Sequence, residues 1–413
     1  MSDPSSEQKT PAVGGLSKNV ITLGLVSFLN DLSSDMIFPF IPIFLTSVLG
    51  AGATFVGVVE GVADATASLV KIISGALSDR WRKRKPFVVL GYAISAFAKP
   101  LLGLAAAPWH VLGLRFFDRA GKGTRDAPRD ALISFSTEKK YIGRAFGFHR
   151  GADTLGAAFG PLIAFAVLPL LGGNLRSLFF LSAIASLIAV AVLWAVVREA
   201  PRVADGEIEH QKFEWRYLGG PFVIFLVAVT LFSLGKASEA FLLLRARDVG
   251  VALVFLPIIY FVYNITFALF STPVGMLSDK IGRRNTFMIG MLLFSGSYIL
   301  FAEVGSGWII WFLFPLYGLY SAFTEGVGRA IVADLIEERW RATAYGMYSA
   351  LTGVALLPAS VIFGVLWDWK GAAFAFWYGA VLGLLALVLF FFLRVRRQVR
   401  DGALRFLGIS VEQ

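Results

Sequence analysis

The chain of 413 residues contains no cysteine and only three histidines. Disulfides and thiolate metal sites are therefore excluded. His110, His149 and His210 stand far apart and show no metal-ligand spacing, so neither a metal nor another cofactor is expected. Charge is scarce too. Only 16% of residues are Asp, Glu, Lys or Arg, and 57% are hydrophobic, against about 25% and 45–50% in soluble domains. This balance excludes an ordinary cytosolic enzyme, a disordered chain and a nucleic-acid binder. The formal net charge is +10, but the basic residues lie between long apolar runs and form no continuous soluble face. Their first meaning is loops that hold a membrane topology. An integral-membrane enzyme is disfavoured, because the chain offers no His-rich motif and no Gly-x-Ser-x-Gly.

A helix needs about 20 mostly apolar residues to cross the hydrocarbon core. Apolar runs between charged or Gly/Pro breaks predict twelve such spans, at roughly 20–47, 53–79, 86–107, 109–133, 143–170, 177–198, 218–244, 251–277, 285–303, 307–332, 343–367 and 371–394. The expected class is an all-α membrane protein. Its divisions would be a tail (1–19), a six-helix bundle (20–199), a linker (200–217), a second bundle (218–395) and a closing tail (396–413). Residues 1–19 lack the apolar core of a secretory signal, so nothing is expected to be cleaved before the first span. Arg80, Arg82, Lys83, Arg84 and Lys85 follow span two, and Lys280, Arg283 and Arg284 follow span eight. The opposite connections are short and nearly neutral. The positive-inside rule then predicts cytoplasmic termini in a plasma (inner) membrane.

The chain also repeats itself. Gly75-Ala-Leu-Ser-Asp79-Arg80-Trp-Arg-Lys-Arg84-Lys-Pro-Phe87 returns 200 residues later as Gly275-Met-Leu-Ser-Asp279-Lys280-Ile-Gly-Arg-Arg284-Asn-Thr-Phe287. Eight positions are identical or of like charge. Two six-helix halves related along the membrane normal make a transporter architecture. These residues resemble the major facilitator superfamily, whose loops between spans two and three and spans eight and nine read Gly-x-x-x-Asp-Arg/Lys-x-Gly-Arg-Arg/Lys. The second copy matches at Gly275, Asp279, Lys280, Gly282, Arg283 and Arg284; in the first, Arg82 replaces the second glycine. In span four, Arg115-Phe-Phe-Asp118-Arg119-Ala-Gly121 keeps the Arg and last Gly of the family's Arg-x-x-Gln-Gly-x-Gly. In span five, Gly156-Ala-Ala-Phe-Gly160-Pro161 is similar to the Gly-x-x-x-Gly-Pro of the family's antiporters. There the glycines allow close helix approach and Pro161 removes one backbone bond.

Charges inside the membrane are costly and are kept for pairing or function. Span four carries Arg115, Asp118, Arg119, Lys122, Arg125, Asp126, Arg129 and Asp130. At about 100° per residue these fall within somewhat over a third of the helix circumference. Asp31 and Asp35 lie one turn apart in span one, Glu60 and Asp64 share a stripe of span two, and Arg150 and Asp153 stand at i,i+3 in span five. These acids offset the basic residues of span four, which points to a buried ionic network in the first half. Its acids (Asp31, Asp35, Glu60, Asp64 and Asp153) are the candidates for proton coupling. A static set of salt bridges is the competing reading.

The resemblance implies that spans one, four, seven and ten line a central pathway. It would hold Asp31, Asp35, Arg115, Arg119, Lys236, Glu239, Glu325 and Arg329, with Asp118 and Arg150 as further substrate contacts. It also implies a latch, with Asp79 and Arg80, and Asp279, Lys280 and Arg283, meeting the other half while Gly75 and Gly275 let helices close. The expected function is alternating-access transport of a small solute by a proton-coupled efflux antiporter, able to work as a monomer in the lipid bilayer. The alternative is a proton-coupled symporter importing a small organic anion, with the arginines as a carboxylate or phosphate clamp.

Overall fold

The computed structural model describes residues 16–81, 83–138, 141–199, 219–336 and 340–392. The linker, most of both tails and Arg82 lie outside them. Twelve long helices follow one another: α1 (Lys18–Val48), α2 (Ala53–Trp81), α3 (Lys85–Leu102), α4 (Pro108–Phe135), α5 (Ile142–Val167), α6 (Leu175–Val196), α7 (Gly219–Asp248), α8 (Leu253–Ile281), α9 (Arg283–Glu303), α10 (Gly307–Leu335), α11 (Arg341–Lys370) and α12 (Ala372–Phe391). Local chemistry sets several boundaries. The Ser17 hydroxyl accepts from Val20 N at the start of α1, and Asn174 accepts from Arg176 N and Ser177 N at the start of α6. Pro108 occupies the first turn of α4, where its missing N–H costs nothing. Gly282 turns the chain between α8 and α9 at φ +91°, a region that other residues rarely enter. That turn is the second copy of the repeated loop.

Among the described residues, nine of the twelve helices are by length and composition long and apolar enough to cross a membrane. The three that fall short are α2, α4 and α5, which carry most of the first half's ionisable side chains. Helices α1–α6 pack together, as do α7–α12. The halves meet where α2 runs against α11, where α5 meets α8, and where the last turns of α1 touch the second part of α7. Their interiors differ. The second half is filled by rings, such as Phe294 on Tyr298 at 4.1 Å and Tyr317 on Tyr320 at 4.8 Å between centroids. The first is threaded by charge.

One end of the molecule, the basic end, carries the repeated loops and the start of α1. At the opposite end the halves are locked. The Asp368 carboxylate, at the end of α11, accepts from Ala53 N at 2.9 Å and Thr54 N at 2.7 Å, capping the first turn of α2. Gly52 leaves the space for it, since a Cβ there would stand 2.8 Å from Asp368 Oδ2. Below the cap α2 and α11 nearly touch: a Cβ on Gly57 would lie 2.1 Å from the Ser360 carbonyl oxygen, and one on Gly61 2.9 Å from that of Leu357. Towards the basic end the halves part around a cavity of about 880 Å³ between α5, α8 and α10.

Candidate functional site: a charged cavity between the halves

A second cavity, of about 260 Å³, lies where the two halves face one another. It begins with two helix irregularities. Helix α1 leaves α geometry for a 3-10 turn at Phe38–Phe40, and α7 opens at Lys236, Ala237 and Ser238. The two breaks stand about 200 residues apart, the period of the sequence repeat. Tertiary and capping bonds hold the second one open: Ala237 N donates to the Tyr298 hydroxyl at 3.1 Å, and the Ser238 hydroxyl accepts from Ala240 N at 3.3 Å. Paired interruptions in corresponding helices are where transporters build ligand sites, because exposed backbone is tolerated only around a cavity. Phe38, Ser238 and Glu239 all line this one.

Helix α4 supplies the cationic wall. Arg115, Asp118, Arg119, Lys122 and Arg125 line the cavity together, as their common arc requires. Opposite stand Asp31 and Asp35 of α1 and Glu60 and Asp64 of α2. Glu60 and Asp64 lie seven and eleven residues into α2, about 10–17 Å from its start at 1.5 Å per residue. Most of the charges are committed. Arg115 Nη2 donates to both Glu60 oxygens at 2.9 and 2.7 Å, with both side chains buried, and Arg115 Nη1 stands 3.6 Å from Asp118. Arg125 donates to the Ser95 hydroxyl at 2.9 Å and lies over the Tyr92 ring. Asn30 Nδ2 donates to Asp31 at 3.0 Å. Four charges stay uncommitted: the side chains of Asp35, Asp64, Arg119 and Lys122 make no hydrogen bond or ion pair with any described residue. Arg119 Nε is buried without a partner.

The cavity gathers Asp31, Asp35, Glu60, Asp64, Arg115, Asp118, Arg119 and Glu239 from the predicted site. Lys236 stands beside it, 3.7 Å from Glu239. Arg150, Glu325 and Arg329 are elsewhere, on the walls of the larger cavity towards the basic end. Asp153 lines neither; its Oδ2 is 3.6 Å from His149 Nδ1. Gly275 and Asp279 line the larger cavity, where Asp279 is exposed with Arg283 at 3.9 Å, while Lys280 is exposed beside them. Arg283 also donates to Asp334 and the Ala330 carbonyl, both within its own half. Gly75 sits against Ala127 of α4 and Arg80 is exposed; the Asp79 side chain lies outside the described residues. The α5 glycines pack on α1, where a Cβ on Gly156 would be 2.4 Å from the Phe28 carbonyl oxygen and one on Gly160 2.6 Å from that of Leu32; Pro161 follows, buried.

Sequence reasoning missed Lys99, Ser238 and Tyr260. Lys99 is almost wholly buried, and its Nζ donates to the Asn30 carbonyl at 3.2 Å and to Asn30 Oδ1 at 3.3 Å. A lone lysine within an apolar span was the available signal. Tyr260 of α8 meets Phe38 of α1 with ring centroids 5.1 Å apart, closing the cavity on the side of the locked end.

Two halves around a central cavity, closed at one end and parted at the other, make the architecture of a solute transporter. The Major Facilitator Superfamily model matches residues 23–244 and 237–407, and the chain belongs to that family. It is 36% identical over 384 residues to an uncharacterized MFS-type transporter of Methanocaldococcus jannaschii, covering 92% of this chain and 95% of the other. A stretch of 128 residues, 31% of this chain and 32% of the other, is 30% identical to a multidrug resistance protein of Salmonella paratyphi B. Among solved structures, a point variant of a nucleoside transporter superposes with a TM-score of 0.75 at 18% identity, covering 90% of this chain and 98% of that one.

Proposed function

We propose that the protein is a proton-coupled efflux antiporter of the plasma (inner) membrane, with both termini cytoplasmic. The observation that carries this reading is a small charged cavity between two halves, holding two carboxylates and two cations without a partner among the described residues. Asp35 and Asp64 bind and release the proton, and Asp31 and Glu60 tune their field. Protonating either acid changes what Arg119 and Lys122 face, so proton and solute compete for one electrostatic environment. The halves rock about this point. With the basic end cytoplasmic, the parted halves of this structure expose the pathway to the cell interior, where an exporter loads. The partial likeness to a multidrug resistance protein and the glycine face of α5 support the outward direction. Asp79 with Arg80, and Asp279 with Lys280 and Arg283, form the latch of the opposite state.

Reconstitution into proteoliposomes under an imposed pH gradient tests the coupling. Asp35→Asn and Asp64→Asn each abolish gradient-driven accumulation while leaving solute counterflow partly intact, and Asp31→Asn weakens the drive. Normal accumulation by both the Asp35 and Asp64 variants removes the proton role. The unpartnered Arg119 and Lys122 also favour a second reading, proton-coupled import of a small organic anion. The direction of solute movement under an inward proton gradient separates the two.

A further inference from the structure

We propose that the central cavity takes a small dipolar solute, with a carboxylate- or phosphate-type group a few bonds from a protonated amine, and does not take a lipophilic compound. The inference rests on the reading of this cavity as the transport site. Its walls argue first. Of the 17 lining residues only Ile37, Phe38 and Leu102 are apolar, and the volume is about 260 Å³. Sites for drug-sized molecules measure about 300–1,000 Å³ and are lined mostly by apolar and aromatic side chains. A lipophilic cation would strip water from this many charged groups without replacing their hydrogen bonds.

The charge inventory then selects the ligand. Arg115 is tied to Glu60 and Asp118, Arg125 to Ser95, Lys99 and Asp31 to Asn30, and Glu239 to Lys236. What remains is two cations and two carboxylates: Arg119 and Lys122 on α4, facing Asp35 of α1 and Asp64 of α2. An anion alone leaves both acids unanswered, and a cation alone leaves both basic groups unanswered. A solute carrying both signs satisfies each wall at once. The Arg119 guanidinium suits the anionic group because it presents a planar fork of donors. Its Nε is buried without a partner, as are those of Arg115 and Arg125 on the same wall. Arg119 alone of the three makes no other hydrogen bond or ion pair with a described residue. The two carboxylates receive the ammonium.

The test is competition for counterflow in proteoliposomes with no pH gradient. Its probes are small dipolar amino acids, phosphoethanolamine and phosphocholine, the N-acetyl and amide derivatives of the amino acids, and ethidium. At least one dipolar compound is expected to compete, with its single-charge derivatives at least tenfold weaker and ethidium inert. Arg119→Gln is expected to erase the preference for the dipolar parent over its amide, and Arg119→Lys to restore part of it. Asp64→Asn is expected to erase the preference over the N-acetyl derivative. Competition by ethidium, equal competition by parent and derivatives, or no competition by any dipolar probe overturns the proposal. Because no gradient is applied, loss of proton drive in the earlier experiment leaves this result standing. Gradient-driven ethidium efflux would instead keep the antiporter and sink the substrate class.

Discussion

Arg115 and Glu60 are the tightest ionic contact in the cavity, with side chains 4% and 2% exposed. Their mutual attraction offsets a large desolvation cost, so the pair is safer whole than halved. Arg115→Ala or Glu60→Ala alone is expected to lower stability by about 3–5 kcal/mol, because each leaves a buried charge uncompensated. The double variant Glu60→Gln with Arg115→Gln should recover much of that loss. Thermal unfolding of the purified protein in detergent checks the pattern; additive losses would show that the two groups act separately. The residues of α4 were legible in the sequence because helical spacing alone places Arg115, Arg119 and Lys122 on one arc. Lys99 was hidden for a related reason. A single charge in an apolar run gives no periodic signal, and its partner Asn30 lies on another helix, 69 positions away.

Helices α2 and α11 run side by side and carry the lock at the closed end. Asp368 acts as the N-cap of a helix in the other half, a role normally filled from within the helix. Losing such a cap costs about 0.5–2 kcal/mol. Asp368→Ala is therefore expected to shift the balance away from the state closed at this end by roughly two- to thirty-fold. Spin-label distances across both ends would read the change, and an unchanged distribution would remove Asp368 from the gate. The twelve helices and their pairing into halves were legible from apolar runs and the 200-residue repeat. The lock was not, since a lone Asp near a helix end has no pattern that names its donor partner 315 positions away. The break in α7 was hidden as well: Lys236 to Ser238 reads as continuous helix until the Tyr298 hydroxyl takes the Ala237 N–H. Glu325 and Arg329 share a helix with no such break, and they lie on the wall of the wider opening.

At the scale of the molecule, charge and rings are divided between the halves. The second half packs Phe294, Tyr298, Tyr317 and Tyr320 into one aromatic body, and in the proposed cycle the protonation changes belong to the ionic first half. In that proposed cycle rocking alters the two openings in opposite senses, and the absence of cysteine makes this directly measurable. Thr154→Cys on α5 and Ser271→Cys on α8 place single thiols on facing walls of the 880 Å³ cavity. With the basic end in the cytoplasm, a membrane-impermeant maleimide should label both in everted vesicles and neither in intact spheroplasts. A solute that drives the halves together at the basic end should slow labelling of both thiols in parallel. Labelling from the outside would invert the orientation and with it the direction in which this structure loads. Protection of one thiol without the other would show local movement of a single helix in place of two halves turning as units.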